Sequence, residues 1–546
     1  MLQMTGGQAV VQALVAEGVE IVFGLPGVQI MHIFDAFYDR SDIRLITVRH
    51  EQTTAYMADG YARVKGVPGV GLVVPGPGVQ NASAGLGTAF SVSSPVLLLA
   101  GQIESSMIGR DLGALHEIND QLDIVRPVTK WCYRVREVAE VPTVIHEAMH
   151  QMKTGRPRPT VVEVPPDILA KTAQVSFLKA EEYPPPRPHP EQISRAAALL
   201  AKAQKPLIWA GGGTILSGAS REVGALAEGL GAAVATTVEG KGIIPEDHPL
   251  SLGVGYYGHG APAWAAPQAD VVIAVGTRLT SQMYGSTRLR SPQSLIHIDI
   301  DPTVIGKNYP AEVAIVADAK MALQALVAEM QRRPGGNRGW SRQEIAEIQR
   351  SHRDWLAEKI PLQQDIISQI RQELPEDAIL ISGITNVGYW SHLAYPVRRP
   401  RTYFSSSYFA TLGFEFPVSL GAKIAAPHLP VVCITGDGGF MYALPELATA
   451  VQYHIPVVTL VFVDNAFGAS YNDQQTRFNK RVVGTELYNP SFAQVAEVFG
   501  AKGVRVEAKR VGVALREALQ TGRPTVIEVP IPTLTPPFQL PYVQGT

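Results

Sequence analysis

The chain has 546 residues, of which 46% are apolar and 18% are charged, and its formal net charge is −2. This length exceeds what one hydrophobic core supports, so we expect three domains of roughly 150–200 residues each. The balanced charge and the lack of a basic block argue against nucleic acid or a membrane surface as a partner.

Cysteine content and terminal sequence indicate the compartment. The only cysteines, Cys132 and Cys433, are far apart and lack CxxC spacing, which argues against a disulfide framework and fits a reducing cytosol. The N-terminus lacks the pattern of a signal peptide, and the apolar run Ile455–Val463 is far too short to span a membrane. We therefore expect a soluble cytoplasmic protein.

Short apolar runs alternate with helical patterns from one end of the chain to the other. This alternation predicts an α/β fold made of doubly wound parallel sheets with helices on both faces. Examples of the predicted strands are Val70–Val74, Val96–Leu99, Thr160–Val164, Leu207–Ala210, Val271–Val275, Leu295–Ile298, Ile379–Ile381, Val431–Thr435, Val457–Val463 and Thr525–Val529.

Two irregular stretches interrupt the alternation. Residues 169–192 lose their periodicity and contain five prolines, which is typical of a stiff extended linker. Residues 331–342 are rich in Gly, Pro and Arg. A structureless stretch of about twenty residues is unusual inside one domain, so we place domains at 1–168, 190–330 and 350–535.

The sharpest motif lies in the third domain. Gly436-Asp437-Gly438-Gly439 follows one predicted strand, and Asn465 follows the next strand, 28 positions after Asp437. Ligands of open parallel sheets bind at the carboxyl ends of strands, and glycines let the backbone approach phosphate closely. Asp437, Asn465 and the carbonyl of Phe467 would supply the oxygen ligands that Mg²⁺ prefers. The spacing therefore predicts a magnesium–diphosphate site.

Gly436–Phe440 (GDGGF) followed by Asp464–Gly468 (DNAFG) resembles the thiamine-diphosphate binding motif, and nearly the whole chain resembles the acetolactate synthase branch of that superfamily. The resemblance implies a pyrimidine-binding first domain, a central Rossmann-like domain and a diphosphate-binding third domain. It implies thiamine diphosphate and Mg²⁺ as cofactors, with Gly468 and Ala469 beside the diphosphate. It also implies a homodimer or homotetramer whose active sites lie between subunits.

Glu51 matches the family's activating glutamate. A carboxylate hydrogen-bonded to N1′ of the aminopyrimidine favours the tautomer that removes the C2 proton of thiamine. Taken alone, a glutamate at a helix start is more often a cap. The resemblance also assigns cofactor contacts on the pyrimidine side to Pro26, Gly27, Pro75, Gly78 and Asn81.

Further cofactor contacts are implied in the third domain. Ala410 and Leu412 lie in a stretch that resembles the segment beneath the thiazolium ring, where Leu412 would wedge the cofactor into its bent shape. Glu415 stands where the family usually has glycine, a departure without an explanation. Thr385 and Asn386 resemble additional diphosphate contacts, although either residue could equally cap a helix.

The residues that the resemblance assigns to the substrate lie in less specific motifs than those assigned to the cofactor. The resemblance places Gln102 with Glu51 and Leu412 among the catalytic residues, because a glutamine contacts substrate there in acetolactate synthases. Val28 and Gln29 match the substrate pocket of related lyases. His116 lies in a stretch that corresponds to a substrate-side loop, although a lone histidine on an irregular segment is more often a surface residue.

Two substitutions concern the second substrate. Gln282 replaces an arginine that would pair with the carboxylate of an acceptor 2-oxo acid, and Asp473 replaces a tryptophan that helps to choose the acceptor. We therefore expect decarboxylation and carboligation of a 2-oxo acid, with pyruvate as donor and a carbonyl compound of open identity as acceptor. A lyase or decarboxylase acting on a 2-hydroxyacyl-CoA or oxalyl-CoA thioester is the alternative. Intact Glu51, Asp437 and Asn465 argue against a non-catalytic regulatory paralogue.

FAD is a further cofactor that the resemblance suggests. Acetolactate synthases carry it in the central domain, and Arg156, Gly211–Gly213 and Arg278 match parts of that site. Any Rossmann-like domain shows such a glycine-rich turn, so the occupant of the central domain, FAD or a CoA thioester, stays open.

Overall fold

The computed structural model describes residues 2–280, 294–333 and 339–541. It contains three domains, each built on a six-stranded parallel sheet flanked by helices, which confirms the predicted α/β doubly wound class. Among the described residues, no helix is both long and apolar enough to cross a bilayer.

The first domain carries a sheet of order β3-β2-β4-β5-β7-β6 and a separate antiparallel pair, β1 and β8. Its strands are β1 (Leu2–Thr5), β2 (Ile21–Gly24), β3 (Arg44–Thr47), β4 (Gly69–Val73), β5 (Val96–Gly101), β6 (Trp131–Arg134), β7 (Thr160–Val164) and β8 (Thr172–Val175). Its helices are α1 (Gly6–Ala16), α2 (Met31–Phe37), α3 (Glu51–Lys65), α4 (Pro77–Val92), α5 (Gln121–Val125), α6 (Val141–Lys153) and α7 (Pro166–Ala170).

The central domain carries a sheet of order β11-β10-β9-β12-β13-β14. Its strands are β9 (Pro206–Ala210), β10 (Ala233–Thr236), β11 (Ser251–Val254), β12 (Val271–Val275), β13 (Ser294–Asp299) and β14 (Val313–Val316). Its helices are α8 (Pro190–Leu200), α9 (Gly212–Leu216), α10 (Ser220–Leu230), α11 (Pro262–Ala265) and α12 (Ala319–Gln331).

The third domain carries a sheet of order β16-β15-β17-β18-β20-β19. Its strands are β15 (Ile379–Ser382), β16 (Tyr403–Phe404), β17 (Val431–Gly436), β18 (Val458–Val463), β19 (Lys502–Arg505) and β20 (Thr525–Pro530). Its helices are α13 (Arg342–Lys359), α14 (Pro361–Glu373), α15 (Asn386–Ala394), α16 (Glu415–Ala425), α17 (Asp437–Ala443), α18 (Glu446–Gln452), α19 (Gly468–Arg477), α20 (Phe492–Val498) and α21 (Val511–Leu519).

All three sheets reverse their strand order at one internal position. The reversal lies between β2 and β4 in the first sheet, between β9 and β12 in the second, and between β15 and β17 in the third. The loops that leave the carboxyl ends of strands at such a point diverge to opposite faces and leave a crevice that binds ligands. Each domain therefore offers one crevice of this kind.

The predicted strands agree with the structure, but the predicted linker is partly wrong. All ten predicted runs coincide with strands to within two residues. Residues 169–192, predicted to be an extended linker, contain the end of α7, β8 and the start of α8, and their longest stretch without helix or strand is 176–189. The prediction missed β8 because its four residues are mostly exposed and are paired with the distant β1.

The first and third domains dock through two helices. At the crossing of α3 and α16, a Cβ on Gly60 would lie 2.1 Å from the Val418 carbonyl oxygen, and one on Gly421 would lie 2.0 Å from that of Met57. Only glycine permits this close backbone approach, and one buried apolar core runs through both domains. Helix α3, which begins at Glu51, is therefore fixed against the third domain of its own chain.

Candidate active site

The predicted metal ligands Asp437 and Asn465 lie side by side at the crevice of the third domain, which we call the third crevice. The Asn465 N–H donates to Asp437 Oδ2 at 2.8 Å, and the Gly438 N–H donates to Oδ1 at 2.8 Å. Asn465 has a φ of 55°, a left-handed conformation that asparagine tolerates better than most residues. The turn after β18 thus returns the chain to the carboxylate that follows β17.

Asn489 joins this pair, although the sequence analysis did not identify it. Its Nδ2 donates to Asp437 Oδ2 at 2.8 Å and lies 3.1 Å from Asn465 Oδ1. Asn489 follows no strand directly and has no motif spacing to Asp437, so the sequence alone contained no signal for it. It orients both side chains.

The charges at this loop suit a divalent cation. Burial raises the pKa of Asp437, and burial followed by the negative charge of Asp437 raises the pKa of Asp464 to about 6. A cation would relieve both effects. The described residues contain no cluster of three His, Cys, Asp or Glu, so a metal here would depend on amide, carbonyl and ligand oxygens, as Mg²⁺ does. The residues therefore fit Mg²⁺.

Phe467, the third predicted metal ligand, lies at the start of α19. Its carbonyl oxygen accepts from the Tyr471 N–H at 2.9 Å, and a carbonyl oxygen has a second lone pair for a cation. A Cβ on the neighbouring Gly468 would lie 2.6 Å from Asp464 Oδ2, so a larger residue there would displace the Asp464 carboxylate. The carbonyl of Ala469 accepts from Gln539 Nε2 at 2.8 Å, which ties the end of the chain to this loop.

The glycines after β17 are closely surrounded by neighbouring side chains. A Cβ on Gly436 would lie 3.0 Å from Thr385 Oγ1, and one on Gly439 would lie 2.7 Å from Glu415 Oε1. A Cβ on Gly438 would lie 2.8 Å from the Phe467 ring. The Thr385 side chain, on the loop after β15, therefore lies against Gly436 at the end of β17.

Thr385 and Asn386 lie at the start of α15 in this crevice. Thr385 is the N-cap residue, but its side chain makes no capping hydrogen bond. Asn386 is bound within the protein, because its Oδ1 accepts from Gln363 Nε2 and its Nδ2 donates to the Leu534 carbonyl. Thr385 is thus the freer of the two to bind a ligand.

Ala410 and Leu412 lie on the loop before α16. Ala410 is exposed with a φ of 50°, and Leu412 is half-buried. The intervening Thr411 hydroxyl lies 2.9 Å from that of Thr88 in the first domain. A half-buried leucine at this place is compatible with the wedge role and is not an ordinary core position.

Glu415, which stands where the family usually has glycine, is fully buried beneath the loops that follow β15 and β17. Its Oε1 accepts from Thr435 Oγ1 at 2.5 Å, and its Oε2 has no hydrogen-bond partner among the described residues. Burial raises the pKa of this carboxyl to about 7. The side chain fills the space that Gly383 and Gly439 leave.

Glu51 is the first residue of α3 and is half-exposed. Its Oε2 accepts from Asn81 Nδ2 at 3.0 Å, so the structure joins two residues predicted for the pyrimidine side. The helix is capped by the His50 ring, which accepts from the Gln52 N–H at 3.2 Å. Because His50 is the N-cap residue, the structure argues against helix capping as the role of Glu51.

The other pyrimidine-side residues lie at the first crevice. Pro26 and Gly27 follow β2, while Pro75 and Gly78 follow β4. A Cβ on Gly27 would lie 2.2 Å from Val74 Cγ1, so the two loops touch. This contact is the counterpart in the first domain of the one between Thr385 and Gly436.

The predicted substrate residues divide into two groups. Gln29 Nε2 donates to the Leu115 carbonyl at 3.1 Å, which brings Gln29 next to His116, whereas Val28 is exposed. His116 is half-buried, and its Nδ1 has no partner among the described residues. Gln102 is buried, with its amide bound to Glu163 and to its own neighbour's N–H, so the structure does not present it to an open pocket.

A cavity of about 660 Å³ lies between the first and central domains. Arg156, Gly212–Gly213 and Arg278, which match the FAD site, line it. Burial, followed by the charges of Arg158 and Arg278, lowers the pKa of Arg156 to about 10. Cations that destabilise one another in a cavity favour an anionic ligand, so these residues fit the diphosphate of a nucleotide cofactor.

Comparison with known proteins follows the same three-part division. Residues 4–124 match the family described as thiamine pyrophosphate enzyme, N-terminal TPP binding domain; residues 193–326 match the central domain, and 383–529 match the C-terminal TPP binding domain.

Full-length relatives carry related names. A probable acetolactate synthase large subunit of Methanocaldococcus jannaschii is 37% identical over 99% of this chain and 93% of its own length. A probable 2-ketoarginine decarboxylase of Pseudomonas aeruginosa is 36% identical over 91% of this chain and 88% of its own. The acetolactate synthase isozyme 3 large subunit of Escherichia coli is 33% identical over 96% of this chain and 93% of its own length.

Proposed function

The chain belongs to the thiamine-diphosphate enzymes of the acetolactate synthase-like family, and from this we propose that it decarboxylates a 2-oxo acid, with pyruvate as donor, and joins the remaining fragment to a second carbonyl compound. The observation that supports this proposal best is the meeting of Asp437 and Asn465 at the third crevice. Glu51 and Asn81 form the corresponding pair in the first domain.

The chain's residues would have separate tasks. Asp437, Asn465 and the Phe467 carbonyl would hold Mg²⁺, and Thr385 and the glycines of 436–439 would receive the diphosphate. When bound, the cofactor supplies a thiazolium carbon that acts as an electron sink for the loss of CO₂. Glu51 would exchange a proton with the pyrimidine N1′, and the half-buried Leu412 would support the ring.

The second substrate is the least constrained part of this proposal. Gln282 lies outside the described residues. Asp473 lies on α19 and pairs with Arg477 at 3.0 Å. The change from tryptophan to a smaller, ion-paired aspartate alters the size and polarity of this part of the chain, so we propose an acceptor range different from that of acetolactate synthases.

A plain decarboxylase is a second candidate. The relative named as a probable 2-ketoarginine decarboxylase is 36% identical to this chain, against 37% for the probable acetolactate synthase large subunit of Methanocaldococcus jannaschii. A carboxylate at Asp473 would suit a donor whose side chain carries a positive charge. In that case protonation would end the reaction and no acceptor would be needed.

We further propose that the cavity beside Arg156 holds FAD. Its volume and its crowded arginines favour a dinucleotide diphosphate, although a CoA thioester carries a diphosphate too. Flavin absorbance of the purified protein distinguishes the two. A colourless protein that binds CoA thioesters would support the alternative lyase or decarboxylase.

A homo-oligomer with shared sites completes the proposal. Val28, Met441 and Tyr442 are 75%, 43% and 52% exposed, although they lie on the loops and the helix that adjoin the two crevices. Large apolar side chains exposed at a site that must exclude water indicate that another surface covers them. We propose that a second copy of the chain does so.

The experiment is product analysis. The protein is incubated with thiamine diphosphate, Mg²⁺ and pyruvate, with and without acetaldehyde, and CO₂ and products are followed by mass. Loss of one charged hydrogen bond to the acceptor corresponds to about 1.5–3 kcal/mol, so acetaldehyde should compete well with pyruvate as acceptor. Acetolactate as almost the only product would instead indicate an acceptor site like that of acetolactate synthases. Decarboxylation of 2-ketoarginine but not pyruvate would favour the plain decarboxylase.

A further inference from the structure

Glu446 is a buried acid for which the proposed mechanism has no use. It is the first residue of α18 in the third domain and is 1% exposed. Its Oε1 accepts from the backbone N–H groups of Arg49 and His50, each at 3.0 Å. Its Oε2 accepts from the Thr449 hydroxyl at 2.5 Å. The carboxylate thus reaches across the domain boundary to the backbone just before Glu51.

These two donors need an acceptor from outside their own helix. Helix α3 begins at Glu51, so the N–H groups of Arg49 and His50 precede the first intrahelical hydrogen bonds. A carboxylate near a helix start is also favoured by the helix dipole. Without Glu446 both N–H groups would lose their partner, and the chain entering Glu51 could adopt other directions.

Neighbouring contacts hold the same segment. The Tyr453 hydroxyl accepts from the Thr47 N–H at 2.9 Å, and Gln52 Nε2 donates to the Tyr442 carbonyl at 3.1 Å. Residues 47–52 are therefore attached at several points to α17, α18 and the residue after them. Helix α17 itself begins at Asp437, so one short stretch of the third domain carries a metal ligand at one end and supports the Glu51 segment at the other.

We propose that Glu446 is a positioning residue that fixes the direction of the Glu51 carboxylate through the backbone of Arg49 and His50. This inference rests on the role proposed for Glu51. Catalytic groups must be held within a fraction of an ångström of their productive place, and a misplacement of about 1 Å can cost about a hundredfold in rate.

The test compares three variants of the full-length protein loaded with Mg²⁺ and thiamine diphosphate. Glu446→Ala removes both accepting oxygens. Glu446→Gln keeps one oxygen for the backbone donors, and its amide can donate to the Thr449 hydroxyl. Glu528→Ala is the matched control, because Glu528 is also buried and accepts from the Ala493 N–H at 2.9 Å at the start of α20, away from Glu51.

Two readouts are measured besides turnover. The first is the rate of C2 proton exchange of the bound cofactor, followed by NMR after acid quench. The second is amide hydrogen exchange of residues 45–55 in the protein without cofactor. We expect Glu446→Ala to slow C2 exchange at least about tenfold, with cofactor affinity changed less than about threefold, and to speed amide exchange of that segment. Glu446→Gln should restore most of the C2 exchange rate and most of the amide protection of residues 45–55. Glu528→Ala should match wild type in both quantities.

Wild-type C2 exchange in Glu446→Ala would overturn the inference, as would an equal slowing in Glu528→Ala, which would indicate general destabilisation. Where Glu446→Ala does not fold, Glu446→Asp replaces it. Aspartate keeps the charge but is one methylene shorter, so its carboxylate cannot accept from the Arg49 and His50 N–H groups at the same distances, and C2 exchange should slow about threefold. Unchanged C2 exchange in Glu446→Asp would overturn the inference as well. No exchange above that of free cofactor in wild type would instead refute the proposed function, and the amide readout would still test the contact.

Discussion

At the scale of single residues, Glu51 has the surroundings that a proton-exchanging carboxylate needs. It is half-exposed at the start of α3, with one oxygen held by Asn81 and the other available to a ligand. Its direction is set by the backbone before it, which Glu446 binds. Glu51 is thus oriented by neutral partners, and no described residue forms an ion pair with it.

Glu51→Gln should bind the cofactor normally and lose most C2 proton exchange, because the amide keeps the size of the side chain but cannot exchange a proton at N1′. Loss of a positioned acid–base group typically costs about 10²–10⁴-fold. Glu104→Gln, which changes an exposed acid of the same domain, should behave like wild type. NMR-monitored exchange at the wild-type rate in Glu51→Gln would show that Glu51 has no part in activation.

Some site residues could be predicted from sequence and others could not, for a physical reason. Asp437 and Asn465 each follow a strand directly, so the position of their strands in the sheet fixes where they lie. Asn489 and Glu446 act through contacts between segments far apart in sequence, and no local pattern encodes such contacts. Gln102 was assigned by resemblance alone, and its burial beside Glu163 depends on packing that the sequence does not display.

At the scale of elements, a buried polar group joins helix α15 to the central domain. His392 on α15 lies with its Nδ1 2.7 Å from the Tyr403 hydroxyl, and its carbonyl accepts from Lys241 Nζ at 3.0 Å. Lys241 in turn pairs with the buried Glu246 at 2.8 Å. Burial, followed by the charge of Lys241, lowers the pKa of His392 to about 3.

This burial predicts a pH dependence of stability. In the unfolded chain His392 binds a proton below its ordinary pKa of about 6.5, whereas in the folded chain it does so only near pH 3. Between these two values the unfolded state therefore binds more protons than the folded state. The contribution of neutral His392 to the free energy of unfolding is full above pH 6.5 and decreases as the pH falls towards 3, by up to about 1.4 kcal/mol per pH unit. His392→Gln, which cannot titrate, should lose less thermal stability than wild type from pH 7 to pH 5. Substitution of the exposed His454 by Gln is the control. Parallel losses in wild type and His392→Gln would contradict the burial of a neutral imidazole.

Buried elements could be predicted more reliably than exposed ones. The strands of the sheet interiors are buried on both faces, and continuous apolar runs mark most of them in the sequence, although the buried β2 and β10 are not among the predicted runs. The edge strands β3, β6, β14 and β19 are partly exposed, and β14 alternates between buried and exposed residues. The pair of β1 and β8 was missed because its partners come from opposite ends of a domain.

At the scale of the whole molecule, Glu51 belongs to the first domain and the loops of Asp437 and Asn465 belong to the third. Within one chain these two domains pack against each other through α3 and α16. Among the described residues, no hydrogen bond joins the Glu51 carboxylate to the loops of Asp437 and Asn465. The exposed Met441 and Tyr442 on α17 leave an apolar surface beside them. These features support a shared site in which Glu51 of one copy faces the metal loop of another.

A hybrid experiment tests this arrangement. Glu51→Gln and Asp437→Ala homo-oligomers should each be inactive, whereas subunits mixed under dissociating conditions should regain activity, because one site of each hybrid dimer would combine both intact residues. Random mixing makes about half of the dimers hybrid, each with one intact site, so recovery should approach about a quarter of the wild-type rate. Absence of any recovery, with hybrids shown by mass, would place Glu51 and Asp437 of one site on the same chain.

The metal loop admits the most direct measurement: calorimetric titration of thiamine diphosphate into wild type and Asp437→Ala, each with and without Mg²⁺. Asp437→Ala removes the carboxylate that orders Asn465 and would bind the metal, and Asp437 is part of none of the buried apolar clusters of the three domains. Wild type should bind the cofactor only with Mg²⁺, Asp437→Ala should show no Mg²⁺-dependent binding, and Asp377→Ala, a partly exposed acid elsewhere in the domain, should match wild type. Undiminished, Mg²⁺-dependent affinity in Asp437→Ala would contradict the assignment of this loop as the diphosphate site.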